Sequence, residues 1–163
     1  MNDIMQMAEG RLGRILAIRL LPGTDLLHGL EEACRRANIN NGVILSAIGS
    51  LDGVRFCDPI EIAGRRAKYG YGEPLQLAGA IELTNASGII CHDDQGETNL
   101  HVHVTLSDRY GTAHGGHLVE GTKVLLTLDV IIAEVEGVEM GRQMDPDLEV
   151  PVFCPRPAEP AGK

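Results

Sequence analysis

The strongest constraint on the fold is a run of alternating residues in the second half of the chain. Residues 100–106 read Leu-His-Val-His-Val-Thr-Leu, with aliphatic and polar side chains in strict alternation. Successive side chains of a β-strand point to opposite faces, so this pattern predicts a strand with His101 and His103 on one face. Four of the six histidines lie between residues 100 and 118. The polar face of this strand is therefore the first candidate for a functional site.

A third histidine follows after a predicted turn. Residues 108–111 have turn composition and His117 follows two glycines, so a hairpin would bring His117 back beside the first two histidines. Three imidazoles on a rigid frame form the ligand set of a zinc ion with an open coordination position, and another divalent transition metal suits the same ligands. Strand histidines with satisfied hydrogen bonds are the alternative. Gly115 and Gly116 either turn the chain or let the backbone approach a substrate closely.

Asp129, Arg65 and Arg66 are further candidates for contact with a ligand. Thr127 and Asp129 are two apart in the β-like run 124–135, so they share a face. Asp129 could orient an imidazole or act as a catalytic base toward a bound water; a buried aspartate bonded to backbone amides is the alternative. Arg65 and Arg66 could clamp the carboxylate or phosphate of a small anionic ligand, with two solvated arginines as the alternative.

Composition limits the class of protein. A chain of 163 residues with 44% hydrophobic content can form one domain with its own core. An aromatic content of 3% and a formal charge of −9 make direct nucleic-acid binding doubtful, because that binding uses aromatic platforms and basic patches. The four cysteines form no Cys-x-x-Cys pair, which predicts reduced thiols in the cytoplasm. No apolar run approaches the ~20 residues that cross a bilayer, so no membrane role is expected.

The remaining pattern predicts an α/β (α+β) domain. A helix capped by Thr24 and ending near Asn38 is expected to pack its apolar face on a sheet. Residues 58–73 read as a long loop or an irregular hairpin. Residues 1–10 are predicted to be an N-terminal extension, 11–154 the domain, and 155–163 a proline-bearing disordered tail. The predicted strands are residues 14–21, 42–48, 51–57, 75–83, 87–92, 99–107 and 124–135.

Five segments, taken in order, resemble the plants and prokaryotes conserved (PPC) domain family. They are Leu-Pro-Gly-Thr-Asp-Leu, Val-Ile-Leu-Ser-Ala-Ile-Gly-Ser-Leu, Leu-Gln-Leu-Ala-Gly, His-Val-His-Val-Thr-Leu-Ser-Asp and Gly-Gly-His-Leu-Val-Glu-Gly-Thr. The resemblance implies a compact domain with a strongly curved, mostly antiparallel sheet packed with one main helix, and a homotrimer. It also implies that His101, His103 and His117 bind a metal ion, as in some stand-alone bacterial members. Plant members carry a basic AT-hook for A·T-rich DNA, and this sequence lacks that motif.

Two functional hypotheses follow. In the first, the protein is a homotrimeric cytosolic metal-binding protein that acts on or binds a small anionic organic molecule at a three-histidine zinc site. In the second, it is a DNA-binding or regulatory oligomerisation module without catalysis. A purely structural metal is a third possibility. DNA binding would require the basic side chains to converge on one face of the assembly, namely Arg11, Arg14, Arg35, Arg36, Arg65 and Arg66.

Overall fold

The structure, a computed structural model, describes residues 4–159 and contains ten strands and one helix within that range. The elements are β1 (Arg11–Leu20), α1 (Leu26–Ala37), β2 (Gly42–Cys57), β3 (Pro59–Glu61), β4 (Tyr69–Tyr71), β5 (Leu75–His92), β6 (Thr98–Ser107), β7 (Ala113–Leu118), β8 (Lys123–Glu136), β9 (Val138–Asp145) and β10 (Val150–Pro157). The chain thus forms a single, mostly antiparallel β domain with one short helix. No helix among the described residues is long and apolar enough to span a membrane.

The main sheet has eight strands in the order β1-β8-β2-β7-β6-β5-β9-β10. Strand β2 pairs with β5 as well as with β7 and β8, so β2, β7, β6 and β5 form a closed ring of hydrogen-bonded strands. Closing a sheet on itself requires its strands to tilt and the sheet to bend. All the pairings are antiparallel except that of β5 with β9, where His92 lies opposite Gly141. The shorter strands β3 and β4 form a separate hairpin.

The core lies on the side of the ring that receives the aliphatic residues of each strand. On β6 these are Val102, Val104 and Leu106, each at most 3% exposed. On α1, Leu26 and Leu30 are fully buried in the same cluster. Burial of a Leu or Val side chain contributes roughly 1.5–3 kcal/mol, so this alternation fixes which face of β6 points inward. The histidines of β6 are therefore placed on the opposite face.

The helix ends as predicted but begins one residue later than predicted. Thr24 is not the N-cap: Asp25 takes that position, and its Oδ1 accepts a hydrogen bond from the His28 N–H at 3.2 Å. The other Asp25 carboxylate oxygen accepts from the Gly121 N–H at 2.8 Å, which ties the helix start to the loop before β8. At the C-terminus, Asn38 adopts the left-handed conformation (φ 54°) that commonly ends a helix.

Two predicted strand breaks are absent. Residues 42–57 form the continuous strand β2, with bulges, rather than two strands joined at Gly49. A Cβ at Gly49 would lie 2.3 Å from the Thr127 carbonyl oxygen, so the glycine there permits a close approach of β8 and does not turn the chain. Residues 75–92 likewise form the single strand β5 instead of two. In both cases hydrogen bonding to the neighbouring strands keeps the strand continuous through residues whose types favour a turn.

The C-terminal region also differs from its prediction. Strands β9 and β10 were not predicted from the sequence, and they pair along their whole length. Pro155 and Pro157 belong to β10, so the predicted disordered tail does not begin at residue 155, and residues 160–163 lie outside the described range. Prolines fit here because β10 lies at the edge of the sheet, where a strand needs fewer N–H donors. Residues 58–73 contain the short β3–β4 hairpin, so of the predicted long loop and irregular hairpin the structure has the hairpin.

Candidate metal centre

The three predicted histidines come together on the polar face of β6 and β7. His103 pairs directly with His117 across the antiparallel ladder, and His101 lies two residues before His103 on the same face. The imidazole centroids are 5.0 Å apart for His101 and His103, 5.0 Å for His101 and His117, and 5.4 Å for His103 and His117. One ring nitrogen from each residue lies within 4.8 Å of the other two. The hairpin therefore has the geometry that the sequence predicted.

These nitrogens suit a metal ion in both spacing and charge. His101 Nε2 and His103 Nε2 are 3.1 Å apart. Two nitrogens at about 2.0–2.1 Å from a tetrahedral zinc ion are separated by about 3.3 Å, so little movement is needed. Burial, together with the nearby Arg142, lowers the pKa of His101 to about 4, and burial lowers the pKa of His117 as well. Neutral imidazole is the form that coordinates a metal, and it is the form these two residues take near pH 7.

Two buried polar atoms at this site have no hydrogen-bond partner. Among the described side chains, His117 Nδ1 and Arg142 Nε are the buried nitrogen or oxygen atoms left unsatisfied. Buried polar groups in folded proteins are nearly always paired, so an unpaired one requires an explanation such as a bound ion or ligand. Both atoms belong to the same site, since Arg142 acts electrostatically on His101 and His117.

Arg142 is the residue that sequence reasoning missed. It lies on β9, and its Nη1 donates to Asn99 Oδ1 at 3.0 Å while its Nη2 donates to the Pro151 carbonyl at 3.1 Å. Asn99 precedes His101 by two residues, so the guanidinium lies next along the histidine face of β6. The alternation of Val138 and Met140 is a signal for a strand here, but no local signal predicts that this strand lies beside the histidines.

The β3–β4 hairpin and the end of β2 complete the surroundings. The Tyr71 ring lies 4.9 Å from the His117 ring, with 34° between their planes, so the hairpin covers one side of the cluster. Cys57 lies opposite His117 in the ladder between β2 and β7 and is buried. Burial, with a smaller contribution from Asp58, raises the pKa of the Cys57 thiol. The thiol is therefore protonated near pH 7, and the cluster within 4.8 Å consists of imidazoles.

The two glycines before His117 are explained by packing. A Cβ at Gly115 would lie 2.6 Å from the Val104 carbonyl oxygen, and one at Gly116 would lie 2.6 Å from Asp58 Oδ1 and 2.7 Å from Phe56 Cδ2. Cβ contacts below 3.0 Å do not occur without a shift of the neighbouring atoms. The glycines thus let β7 pack closely against β6 and β2. Contact of their backbone with a substrate stays a prediction.

Arg65 and Arg66 have carboxylate partners of their own. Arg65 Nε lies 3.7 Å from Glu149 Oε2, and Arg66 Nη1 contacts the Asp147 carboxylate. Both partners belong to the turn between β9 and β10. The two arginines therefore connect the loop between β3 and β4 to that turn, and each guanidinium already has a carboxylate partner.

Asp129 lies apart from the histidines. It is exposed on β8, opposite Ile48 of β2 and Arg19 of β1, and it accepts a hydrogen bond from Thr127 Oγ1 at 3.3 Å. The metal cluster lies instead where β7 meets the last residues of β2, at Cys57. Asp129 is thus not brought to the site. It lies opposite Ile48 in the middle of β2, whereas His117 lies opposite Cys57 at the end of β2.

Residues 7–136 match the model of the Plants and Prokaryotes Conserved (PCC) domain, the family also abbreviated PPC. The chain belongs to this family. Two curated relatives, each a bifunctional protein GlmU from a Synechococcus strain, are 32% identical over 133 residues. That match covers 82% of this chain and 19% of each relative, so the chain spans about a fifth of their length.

Solved structures share the fold. A PPC protein from Pyrococcus horikoshii aligns with a TM-score of 0.76 at 26% identity, covering 90% of this chain and 96% of its own. A metal-containing protein from Archaeoglobus fulgidus aligns with a TM-score of 0.77 at 23% identity, covering 91% and 99%. A protein from Bacteroides thetaiotaomicron, named as a candidate DNA-binding protein, aligns with a TM-score of 0.70 at 18% identity, covering 88% and 96%.

Proposed function

We propose that the protein binds a divalent transition metal ion, with zinc favoured, through His101, His103 and His117. The observation that carries the proposal is the convergence of three imidazole nitrogens within 4.8 Å of one another, beside a buried His117 Nδ1 that has no hydrogen-bond partner. An N–H···N hydrogen bond also accounts for the 3.1 Å between His101 and His103. It leaves His117 Nδ1 unexplained, whereas a bound ion gives the three imidazoles a common partner.

The donor set favours zinc among the divalent ions. Three neutral nitrogen ligands with an open position are typical of catalytic zinc sites, while magnesium and calcium prefer oxygen ligands. When bound, such an ion supplies Lewis acidity or lowers the pKa of a bound water to about 7. The metal-containing protein of the same fold from Archaeoglobus fulgidus supports the proposal. The chain's own residues favour neutral His101 and His117 by burial, and the Tyr71 ring covers His117.

Elemental analysis of the untagged protein, expressed with zinc in the medium, tests the proposal. We expect about one zinc per chain, because three ligands with one open position complete one tetrahedral site. The double variant His101→Ala, His103→Ala should lose the metal and keep its far-ultraviolet circular dichroism. His28→Ala is the matched control: His28 lies on α1, outside the histidine cluster, so this variant should bind as much metal as the wild type. A metal-free wild type after incubation with zinc, or equal metal in the double variant, would contradict the proposal.

We further propose that the protein is a homotrimer in the cytoplasm. The resemblance to the family suggests the trimer, and the outer face of the sheet offers a surface for it. Exposed apolar side chains lie on the adjacent strands β2 and β8: Ile48 of β2 is 51% exposed and Leu126 of β8 is 69% exposed, and the Leu126 N–H donates to Ser50 Oγ of β2 at 3.2 Å. Ile15 of β1 is also exposed, further along the sheet. Neighbouring exposed apolar side chains favour self-association. The thiols of Cys34, Cys57, Cys91 and Cys154 are unpaired, as expected in a reducing compartment.

DNA binding is the second candidate, and the name of the Bacteroides relative favours it. Charge weighs against it. Each of the six arginines that would have to converge on DNA already lies against a carboxylate: Arg11 on Glu136, Arg14 on Glu134, Arg35 and Arg36 on Glu32, Arg65 on Glu149 and Arg66 on Asp147. These six arginines lie against only five carboxylates, but the chain as a whole carries a formal charge of −9, so we expect no DNA affinity in a mobility-shift titration at 150 mM salt, about physiological ionic strength. Submicromolar binding there would favour this second function.

A further inference from the structure

Arg142 differs from the paired arginines at the surface in what surrounds its charge. Its Nη1 and Nη2 donate to neutral acceptors, the Asn99 side-chain oxygen and the Pro151 carbonyl. Within the described range it forms no ion pair with a carboxylate. Its Nε is buried with no partner at all. The guanidinium is therefore held in a fixed orientation by neutral acceptors, with no carboxylate in direct contact with its charge.

This charge adds to that of the proposed metal ion. The cluster of three imidazoles contains no carboxylate, and Arg142 lies beside it, because its Nη1 donates to Asn99, two residues before His101 on the same face of β6. A divalent ion bound there would place two more positive charges beside the guanidinium in a half-buried site. Like charges in such surroundings repel strongly, so the open coordination position favours an anion.

We propose that Arg142 anchors the carboxylate of a small organic acid whose other polar end occupies the open position of the metal held by His101, His103 and His117. This inference rests on the proposed function and deepens it by naming the ligand class and the residue that selects it. A guanidinium offers planar, paired N–H donors that match a carboxylate, and the contacts to Asn99 and Pro151 already fix its plane.

The cleft beside Arg142 favours a carboxylate over a phosphate group. This cleft has a volume of about 310 Å³ and is lined by Asp93, Asp94 and Arg142 together with Gln95, Asn99, Met144 and Pro151. The two aspartates would repel a dianionic phosphate more than a singly charged carboxylate. Phosphate sites also draw on several cations or on a helix N-terminus, and a cleft lined by one guanidinium and two aspartates offers neither.

Cobalt(II)-loaded protein provides the test, because the visible absorption of cobalt reports a change of ligand at the metal. The probes are succinate, inorganic phosphate and imidazole, each titrated into the wild type, Arg142→Gln, Arg142→Lys and Arg66→Gln. Arg66→Gln is the matched control, since Arg66 pairs with Asp147 and does not line the cleft beside Arg142. Imidazole binds the metal without needing a cation, so it reports on the metal site alone.

We expect succinate affinity to fall roughly 10–100-fold in Arg142→Gln, the value of a charge-assisted hydrogen bond. Imidazole affinity and cobalt content should stay the same, and Arg66→Gln should match the wild type throughout. If Arg142→Gln does not fold, Arg142→Lys decides: a lysine lacks the planar donors, so succinate should bind more weakly. Unchanged succinate affinity in a folded Arg142 variant, or tighter binding of phosphate than of succinate by the wild type, overturns the inference while metal binding stands. Failure of the wild type to bind cobalt overturns both.

Discussion

Two pairs of polar residues look alike in the sequence and differ in the fold. His101 and His103 on β6, and Thr127 and Asp129 on β8, are each two apart on a strand and therefore each share a face. The histidines meet His117 across the ladder, and their site is half-buried. Thr127 and Asp129 hydrogen bond to each other at 3.3 Å on an exposed face.

The difference arises from the neighbouring strands. Beside β6 lie a third imidazole from β7, the guanidinium of Arg142 and the ring of Tyr71. Beside Asp129 lie Ile48 and Arg19, neither of which offers a metal ligand. Spacing along one strand determines the face, but the partners across the sheet determine whether that face is a site.

The largest expected effect comes from removing the cross-strand histidine. His117→Ala leaves both residues of the β6 pair in place and should still weaken zinc binding by more than about 100-fold, since loss of even an outer-shell partner costs 10–100-fold. Asp129→Asn should leave zinc affinity unchanged. Competition with a coloured chelator measures both. Equal affinities in the two variants would show that the two pairs are equivalent and that β7 contributes no ligand.

The opposite region should matter for assembly rather than for metal. Leu126 precedes Thr127 on β8 and is 69% exposed. If this face is buried in a trimer, Leu126→Asp removes apolar burial worth about 1.5–3 kcal/mol per subunit and should shift the protein toward monomer. Tyr110→Asp is the control, because Tyr110 is exposed at the β6–β7 turn, outside strands β2 and β8. Sedimentation velocity distinguishes the outcomes. A monomeric wild type would contradict the proposal that this face is buried between subunits.

The close packing of β7 gives a third, smaller effect. Gly116→Ala would bring a methyl group within 2.7 Å of the buried Phe56 ring, so we expect a loss of about 1–3 kcal/mol in the free energy of unfolding. Gly141→Ala is the matched strand control, since its added Cβ would meet no atom closer than 3.6 Å. Urea denaturation of the metal-free protein measures both variants. Equal stability would mean that β7 can move away from β2 at little cost.

The smallest effect concerns pH. In the metal-free protein the pKa of His101 is about 4, below the ordinary 6.5, because of burial first and Arg142 second. The unfolded chain therefore takes up this proton before the folded one does. The stability associated with neutral His101 is complete above pH 6.5 and is lost as the pH falls from 6.5 toward 4. Urea denaturation at pH 7 and pH 5 should show a smaller loss for His101→Gln than for the wild type. An equal loss of unfolding free energy in the two proteins would mean that His101 is as exposed in the folded chain as Asp129 is.

Local patterns were sufficient where one strand or one turn carried the information. The alternation at residues 100–106 and the turn at 108–111 predicted the hairpin and its three converging histidines, and the family was recognised from five short segments. The helix end at Asn38 followed from its own sequence. These features depend on interactions between residues that are close along the chain.

The failures share a cause, which is pairing between distant segments. The continuity of β2 past Gly49 depends on β8, and the position of Arg142 depends on β9 pairing with β5 and β10. The carboxylate partners of Arg65 and Arg66 come from the turn between β9 and β10, some 80 residues away. The sequence around a charged loop residue does not reveal a partner that far along the chain. Only the three-dimensional fold brings the two together.

Metal binding by the three histidines is tested most directly by a crystal structure of the zinc-loaded protein with diffraction data collected on both sides of the zinc absorption edge. We expect one anomalous peak per chain, about 2.0–2.1 Å from one nitrogen of each of His101, His103 and His117. We also expect His117 Nδ1 to be either a ligand or bonded to a group ordered by the metal. A peak elsewhere, for instance between His92 and Glu139, which lie 3.0 Å apart, or no peak at this cluster in zinc-soaked crystals, would contradict metal binding by the three histidines.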